Sequence, residues 1–217
     1  MSNFATRRTM MVDTQVRPSD VTKFPIIDAM LHVPREDFVP VAKREVAYIG
    51  ENLEIAPGRA LLEPRTFAKM LDALELGADD LVLDIGAGLG YSSAVMARIC
   101  AAVIALEQDQ DLASEAREAL AAIGADNVIV EDGDLIHGAA EHAPFDAIIM
   151  QGAVEKMPSA LEDQLKEGGK AISIFVDGAL NEVRLGRKKD GRISWRRSFN
   201  ASAPLLPGFD QEREFVL

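Results

Sequence analysis

The stretch that most narrows what this chain can fold into is an apolar run, Leu81-Val82-Leu83-Asp84-Ile85, that gives way to Gly86-Ala87-Gly88-Leu89-Gly90-Tyr91. A short apolar run bounded by turn-forming residues predicts a buried parallel strand. The alternating glycines predict a sharp corner, because glycine takes left-handed backbone at no steric cost. A helix should open at Ser92-Ser93, where the first amides lack partners inside the helix and can face a ligand. Sixteen residues beyond Tyr91, Glu107 closes a second apolar run, Ala102-Val103-Ile104-Ala105-Leu106. Strand, glycine corner, helix and second strand with a terminal acid form the start of a doubly wound α/β sheet carrying a nucleoside site.

Spacing separates the possible nucleosides. A dinucleotide fingerprint needs G-x-G-x-x-G, yet Tyr91 occupies the third glycine slot and Gly90 makes the pattern G-x-G-x-G. No G-K-[ST] follows, which excludes a phosphate-cradling loop. An acid directly before the corner repels a pyrophosphate but attracts a cation, so Asp84 suits the ammonium and sulfonium of S-adenosylmethionine. Glu107 can accept both ribose hydroxyls. The expected cofactor is therefore S-adenosylmethionine, lined by Asp84, Gly86, Ala87, Gly88, Gly90, Tyr91, Glu107 and Gln108. Gly133-Asp134, after a third apolar run, would add an acceptor for the adenine amine. Asp132 could do the same one residue earlier, and a loop aspartate capping the next turn is the plainer alternative.

The remainder of the chain fits that frame. Its 217 residues, 48% hydrophobic and 27% charged, are those of a soluble globular protein. A formal charge of −12 disfavours DNA or RNA as principal substrate, since phosphate contacts need Lys and Arg. Cys100 stands alone and cannot form an internal disulfide, which fits a reducing compartment. With no signal peptide or membrane-length apolar segment read, a cytoplasmic location is expected. Three histidines, His32, His137 and His142, without a cysteine pair give no basis for a metal site.

Strands are expected at 81–85, 102–107, 127–131, 145–150 and 170–176, and helices at 92–100, 110–123 and 158–166. Gly124 and Gly168-Gly169 should stop two of those helices. Upstream, residues 1–62 read as a helical and irregular extension and 63–217 as the cofactor-binding core. Ser19 or Asp20 would cap a helix through Val21-Thr22-Lys23, with a second helix from Pro25 burying Ile26, Ile27, Met30 and Leu31. Residues 48–62 read as irregular, and a helix after Pro64 should bury Phe67, Met70, Leu71 and Leu74. At the other end, Asp190-Gly191 between two extended runs predicts a hairpin. Its basic residues (Arg184, Arg187, Lys188, Lys189, Arg192, Arg196 and Arg197) read as protection of an exposed edge, or as a dock for an acidic partner.

Three segments together carry a family likeness: Val33-Pro34-Arg35-Glu36-Asp37-Phe38-Val39-Pro40, the 81–91 corner, and Ala143-Pro144-Phe145-Asp146 with the run from Pro158 to Gly169. The chain resembles the protein-L-isoaspartate O-methyltransferase family from about residue 20 to 177. The resemblance implies a Rossmann-like class I methyltransferase, with a mostly parallel sheet, helices on both faces, an N-terminal helical extension and a C-terminal antiparallel hairpin. It also implies methyl transfer from S-adenosylmethionine to the carboxylate of an isoaspartyl residue, as protein repair. The partner implied is a protein or peptide carboxylate, with a small acid as the alternative acceptor; the chain itself is expected to be a monomer or homodimer. Family members carry Ile-Ser-x-Pro-His where this chain reads Leu61-Leu62-Glu63-Pro64-Arg65, so Leu62 stands in place of a substrate-positioning serine. The family's Gly-Asp-Gly reads Gly133-Asp134-Leu135. Arg65, which can clamp a carboxylate, and Thr66 are the nearest replacements for the serine, and Gln151 faces the same region. The plainer readings are a surface charge for Arg65 and a helix cap for Thr66. Other acceptors, or cofactor binding without turnover, remain open.

Overall fold

In the computed structural model, which describes residues 3–177 and 180–211, the chain enters through a helical layer. Helix α1, Phe4–Met11, is capped by Asn3, whose side chain accepts from the Thr6 amide. Helix α2, Phe24–His32, buries Ile26, Ile27, Ala29 and Met30 on one face. The helix expected from Val21 does not form. Asp20 takes a left-handed turn at φ 65°, and the helix expected near Pro25 forms, with Pro25, its φ fixed and its amide missing, in the first turn.

The segment after α2 is a brace. Arg35 is fully buried and donates to the Ala47 and Leu62 carbonyls at 2.7 Å each, while its guanidinium lies 4.9 Å from the Tyr91 ring centre. Glu36 accepts from Arg8 and Tyr48, and Phe38 packs edge-on against Tyr91. The Pro-Arg-Glu-x-Phe-Val-Pro motif thus ties the helical layer to the glycine corner.

Residues expected to be irregular contain a small hairpin. Strand β1, Leu53–Ala56, pairs antiparallel with β2, Arg59–Leu61, around Pro57-Gly58. Gly58 makes that turn possible at φ +71°. Helix α3, Pro64–Leu74, then buries Phe67, Met70, Leu71 and Leu74 as its 3.6-residue spacing predicts.

The core is a seven-stranded sheet. Its strands are β3 (Leu81–Ile85), β4 (Ala102–Glu107), β5 (Val128–Asp132), β6 (Phe145–Val154), β7 (Leu165–Asp177), β8 (Leu180–Lys189) and β9 (Arg192–Asn200). They lie in the order β5-β4-β3-β6-β7-β8-β9, parallel up to β7 and antiparallel from β7 to β9. Helices α4 (Tyr91–Ala97), α5 (Gln110–Ala122) and α6 (Ser159–Gln164) connect the parallel strands. Gly124 ends the α5 region at φ 69°, as expected. Helix α6 instead stops at Gln164, because Leu165 is already extended, and Gly168 bends β7 rather than capping a helix. Asp190 and Gly191 both have positive φ, the twist-matched turn for the β8–β9 hairpin.

The strand order reverses at β3, since β4 and β5 lie on one side of it and β6 on the other. The C-terminal ends of β3, β4 and β6 therefore meet where ligands of such sheets bind. One hydrophobic cluster joins Met11, Val12, Ile26 and Met30 of the helical layer to Val82, Val95 and Ile149. A second lies on the opposite face around Ile85, Leu106, Phe145 and Phe209.

Candidate functional site

Asp84, the penultimate residue of β3, has no exposed surface. Three side chains satisfy it: the Ser92 and Ser93 hydroxyls donate to Oδ2 at 2.6 Å each, and the Gln151 amide donates to Oδ1 at 2.7 Å. Burial raises its pKa to about 6, and those three hydrogen bonds work against the rise. The two serines sit on the first turn of α4, so the helix that follows the glycine corner turns its hydroxyls back onto the acid.

Glu107, at the end of β4, is equally buried. Arg59 of the β2 strand grips it with a two-pronged ion pair, Nη1 to Oε1 at 2.8 Å and Nη2 to Oε2 at 2.6 Å. Gly88, Gln108 and Asp109 donate their amides to the same carboxylate at 2.7, 2.9 and 3.1 Å. Fork-to-fork pairing of this kind is the strongest geometry open to an arginine and a carboxylate.

The corner itself is covered. Gly86, Gly88 and Gly90 all have positive φ, so the sequence reading of the turn holds. A methyl group placed on Gly88 would lie 2.5 Å from Ile55 Cδ1, and one on Gly86 would lie 3.0 Å from both Arg59 Nη2 and Leu206 Cδ2. The Gly86 and Ala87 amides donate to the Leu106 carbonyl, and the Gly90 amide to the Ala87 carbonyl. Leu206 also presses on Gly152, and its segment pairs with Ala153 through two backbone hydrogen bonds. Asn52 Nδ2 donates to the Ser202 carbonyl at 2.6 Å, tying the hairpin to this C-terminal segment.

The residues expected to line the cofactor fall into two sets. Asp84, Gly86, Ala87, Gly88, Gly90 and Glu107 lie together at the strand ends, with Gln108 beside Glu107. Gly133 joins them through its amide on the Glu107 carbonyl. Asp134 is half-exposed and faces His137 at 3.3 Å. The Tyr91 ring points the other way, into Phe38, Phe67 and Arg35. At the acceptor side, Leu62 is buried in the core, while Arg65 is half-exposed above the Phe199 ring and lies 3.8 Å from Glu63 Oε1. The Thr66 hydroxyl is committed to Glu63 Oε1 at 2.5 Å. Gln151 bonds directly to Asp84. Sequence reasoning missed Arg59. Its one signal was a lone charge inside Ile55–Leu62, a stretch otherwise apolar except for its turn.

Comparison with known proteins decides the family. Residues 7–201 match the family described as Protein-L-isoaspartate(D-aspartate) O-methyltransferase. The chain belongs to that family. It is 35% identical to the protein-L-isoaspartate O-methyltransferase of Koribacter versatilis, over 89% of this chain and 87% of that one. The Methylorubrum extorquens relative of the same name is 40% identical over 94% of this chain and 90% of its own. A solved protein-L-isoaspartate O-methyltransferase superposes with a TM-score of 0.81 at 25% identity, over 93% of this chain and 66% of that one. A Plasmodium falciparum family structure in complex with S-adenosyl-L-homocysteine superposes at 0.79 and shares the fold at 22% identity. The fold is thus the class I methyltransferase fold of this S-adenosylmethionine-dependent family. No helix among the described residues is long and apolar enough to cross a membrane.

In kind, the residues suit the family's cofactor: two acids at adjacent strand ends flank a positive-φ glycine corner. In space they do not. The Glu107 oxygens already accept five hydrogen bonds, and the Ile55, Arg59 and Leu206 side chains fill the volume over Gly86 and Gly88.

Proposed function

We propose that this protein is a carboxyl O-methyltransferase acting on isoaspartyl residues of proteins or peptides, with S-adenosylmethionine as methyl donor. The observation that carries the reading is the pair of buried acids, Asp84 and Glu107, on either side of the glycine corner at the point where the sheet order reverses, in a chain of this family. An acceptor carboxylate of ordinary pKa near 4 is ionised at neutral pH, so the protein needs no base to activate it. Position and dehydration of that oxygen are what the fold must supply. The donor side of the reading comprises Asp84, Gly86, Ala87, Gly88, Gly90, Glu107 and Gln108, with Gly133-Asp134 at the adenine and Tyr91 supporting the corner from behind. On the acceptor side, Arg65 and Thr66 both face Glu63, the guanidinium at 3.8 Å and the hydroxyl at 2.5 Å, so either would meet a substrate carboxylate by leaving that acid. A cytoplasmic site of action and a monomer or homodimer fit the reading.

Radiolabelled methyl transfer to an isoaspartyl peptide, with the aspartyl peptide as control, tests it. Base-labile label on the isoaspartyl peptide alone is the expected result. Equal label on both peptides, or none on either, would overturn the substrate assignment. A second reading, a family member that binds the cofactor without turnover, is favoured by Leu62, buried where a substrate-positioning serine is expected, and predicts no label on any acceptor.

A further inference from the structure

The geometry points to the β1–β2 hairpin as a built-in competitor for the nucleoside cleft: Arg59 holds Glu107 by the oxygens a ribose would use, so the methyl donor binds only as the hairpin withdraws. This rests on the reading above for the identity of the ligand alone.

Three contacts make the competition. The Arg59 fork and three backbone amides together account for both Glu107 oxygens, which leaves no room for a pair of hydroxyls. Ile55 and Arg59, facing the corner from the two strands of the same hairpin, occupy the space above Gly88 and Gly86. The whole corner from Gly86 to Gly90 is consequently buried by the chain's own side chains. Glycines at a ligand corner leave space for a ligand to approach the main chain, and here that space is taken from within.

The hairpin is also suited to leaving. It has strands of four and three residues, joined at an exposed Pro57-Gly58 turn. Two-stranded hairpins of that size are marginal unless something holds them. This one is held over the corner by the Arg59–Glu107 pair, the Ile55 contact and the Asn52 link to Ser202, and at its outer strand by buried Leu53 and by Lys43, which donates to the Glu54 carbonyl at 2.5 Å. Ligand affinity falls in proportion to the fraction of molecules with an open cleft, so a cleft open one time in a hundred weakens binding about a hundredfold. Removing Arg59 takes away the principal hold and leaves Glu107 buried without a cation, which biases the cleft toward opening.

Titration calorimetry with S-adenosylhomocysteine, without any peptide, tests the competition on the wild type, Arg59→Ala and Arg59→Gln. A gain in affinity of threefold or more in either folded variant supports it, with about tenfold expected. A smaller gain, a loss, or no binding in any of the three overturns it. Should neither variant fold, hydrogen exchange of the wild type at 53–61 decides. Faster exchange with the ligand at saturation supports displacement of the hairpin, and slower, unchanged or unsaturable behaviour overturns it. Methyl transfer is read separately: a variant that binds more tightly yet labels no isoaspartyl peptide keeps the competition and removes the substrate assignment.

Discussion

Asp84 shows what burial does to a single carboxyl. Its folded pKa of about 6 lies above the value near 3.9 of an unfolded aspartate, so between those limits the native state holds a proton that the unfolded state has lost. Its contribution to stability is therefore complete below about pH 4 and is lost as the pH rises through 6. The shift corresponds to roughly 3 kcal/mol. Asp84→Asn, which keeps the shape and can still meet Ser92, Ser93 and Gln151, should match the wild type at pH 4 and exceed it by about 2–3 kcal/mol at pH 7.5. Urea unfolding at the two pH values checks this, and an unchanged difference would mean that Asp84 ionises without penalty. Leu62 makes the complementary point for an apolar side chain. It is 1% exposed and its carbonyl holds Arg35, so it has become part of the core rather than a reactive position. Leu62→Ala should lower unfolding free energy by about 3 kcal/mol in the same measurement.

Among the elements, the β8–β9 hairpin and the β1–β2 hairpin differ in how far sequence reveals them. Asp190-Gly191 has the one turn chemistry that matches strand twist, and the runs around it are long enough to be read. Gly186 has a further role there, because a methyl group at that position would meet Ile193 at 2.4 Å and Trp195 at 2.9 Å. Gly186→Ala should cost about 1–3 kcal/mol by overpacking, seen as a lowered midpoint in thermal unfolding. The parallel strands β3, β4 and β6 were legible because strands covered on both faces are continuously apolar. The acids at the ends of β3 and β4 were legible for the same reason, as charges that interrupt such runs. The β1–β2 hairpin was not, since strands of three or four residues hold too few side chains to display a period. Its partner was hidden as well: Arg59 and Glu107 are 48 residues apart, and no local spacing reports which buried acid an isolated arginine will meet. The helix expected at Val21 failed over a single residue, Asp20, whose left-handed turn outweighed its capping preference.

At the scale of the molecule, the helical layer and the sheet share one hydrophobic cluster, from Met11 to Leu185. Arg35 adds polar ties across the same boundary, to the Leu62 carbonyl and the Tyr91 ring. Removing residues 1–47 would uncover that face of the sheet, so the truncated chain should lose its sharp unfolding transition and bind a hydrophobic dye at neutral pH. Circular dichroism melting with dye fluorescence reads both, and a truncated chain that melts cooperatively would show the sheet to be self-sufficient. The exposed edge strand β9 carries Arg192, Arg196 and Arg197, an arrangement that discourages strand addition by a second copy.

The link between Asn52 and Ser202 joins two segments 150 residues apart that both lie over the glycine corner. They also converge over Gly86, where Arg59 and Leu206 each come within 3.0 Å of the position a methyl group would take. The two should therefore behave as one foldon, a patch that opens sub-globally while the sheet beneath stays protected. In native-state hydrogen exchange at rising sub-denaturing urea, amides of 53–61 and 204–209 should merge onto a single opening isotherm, below the one traced by β3 and β4. The slope of that isotherm would measure how much surface the paired segments conceal.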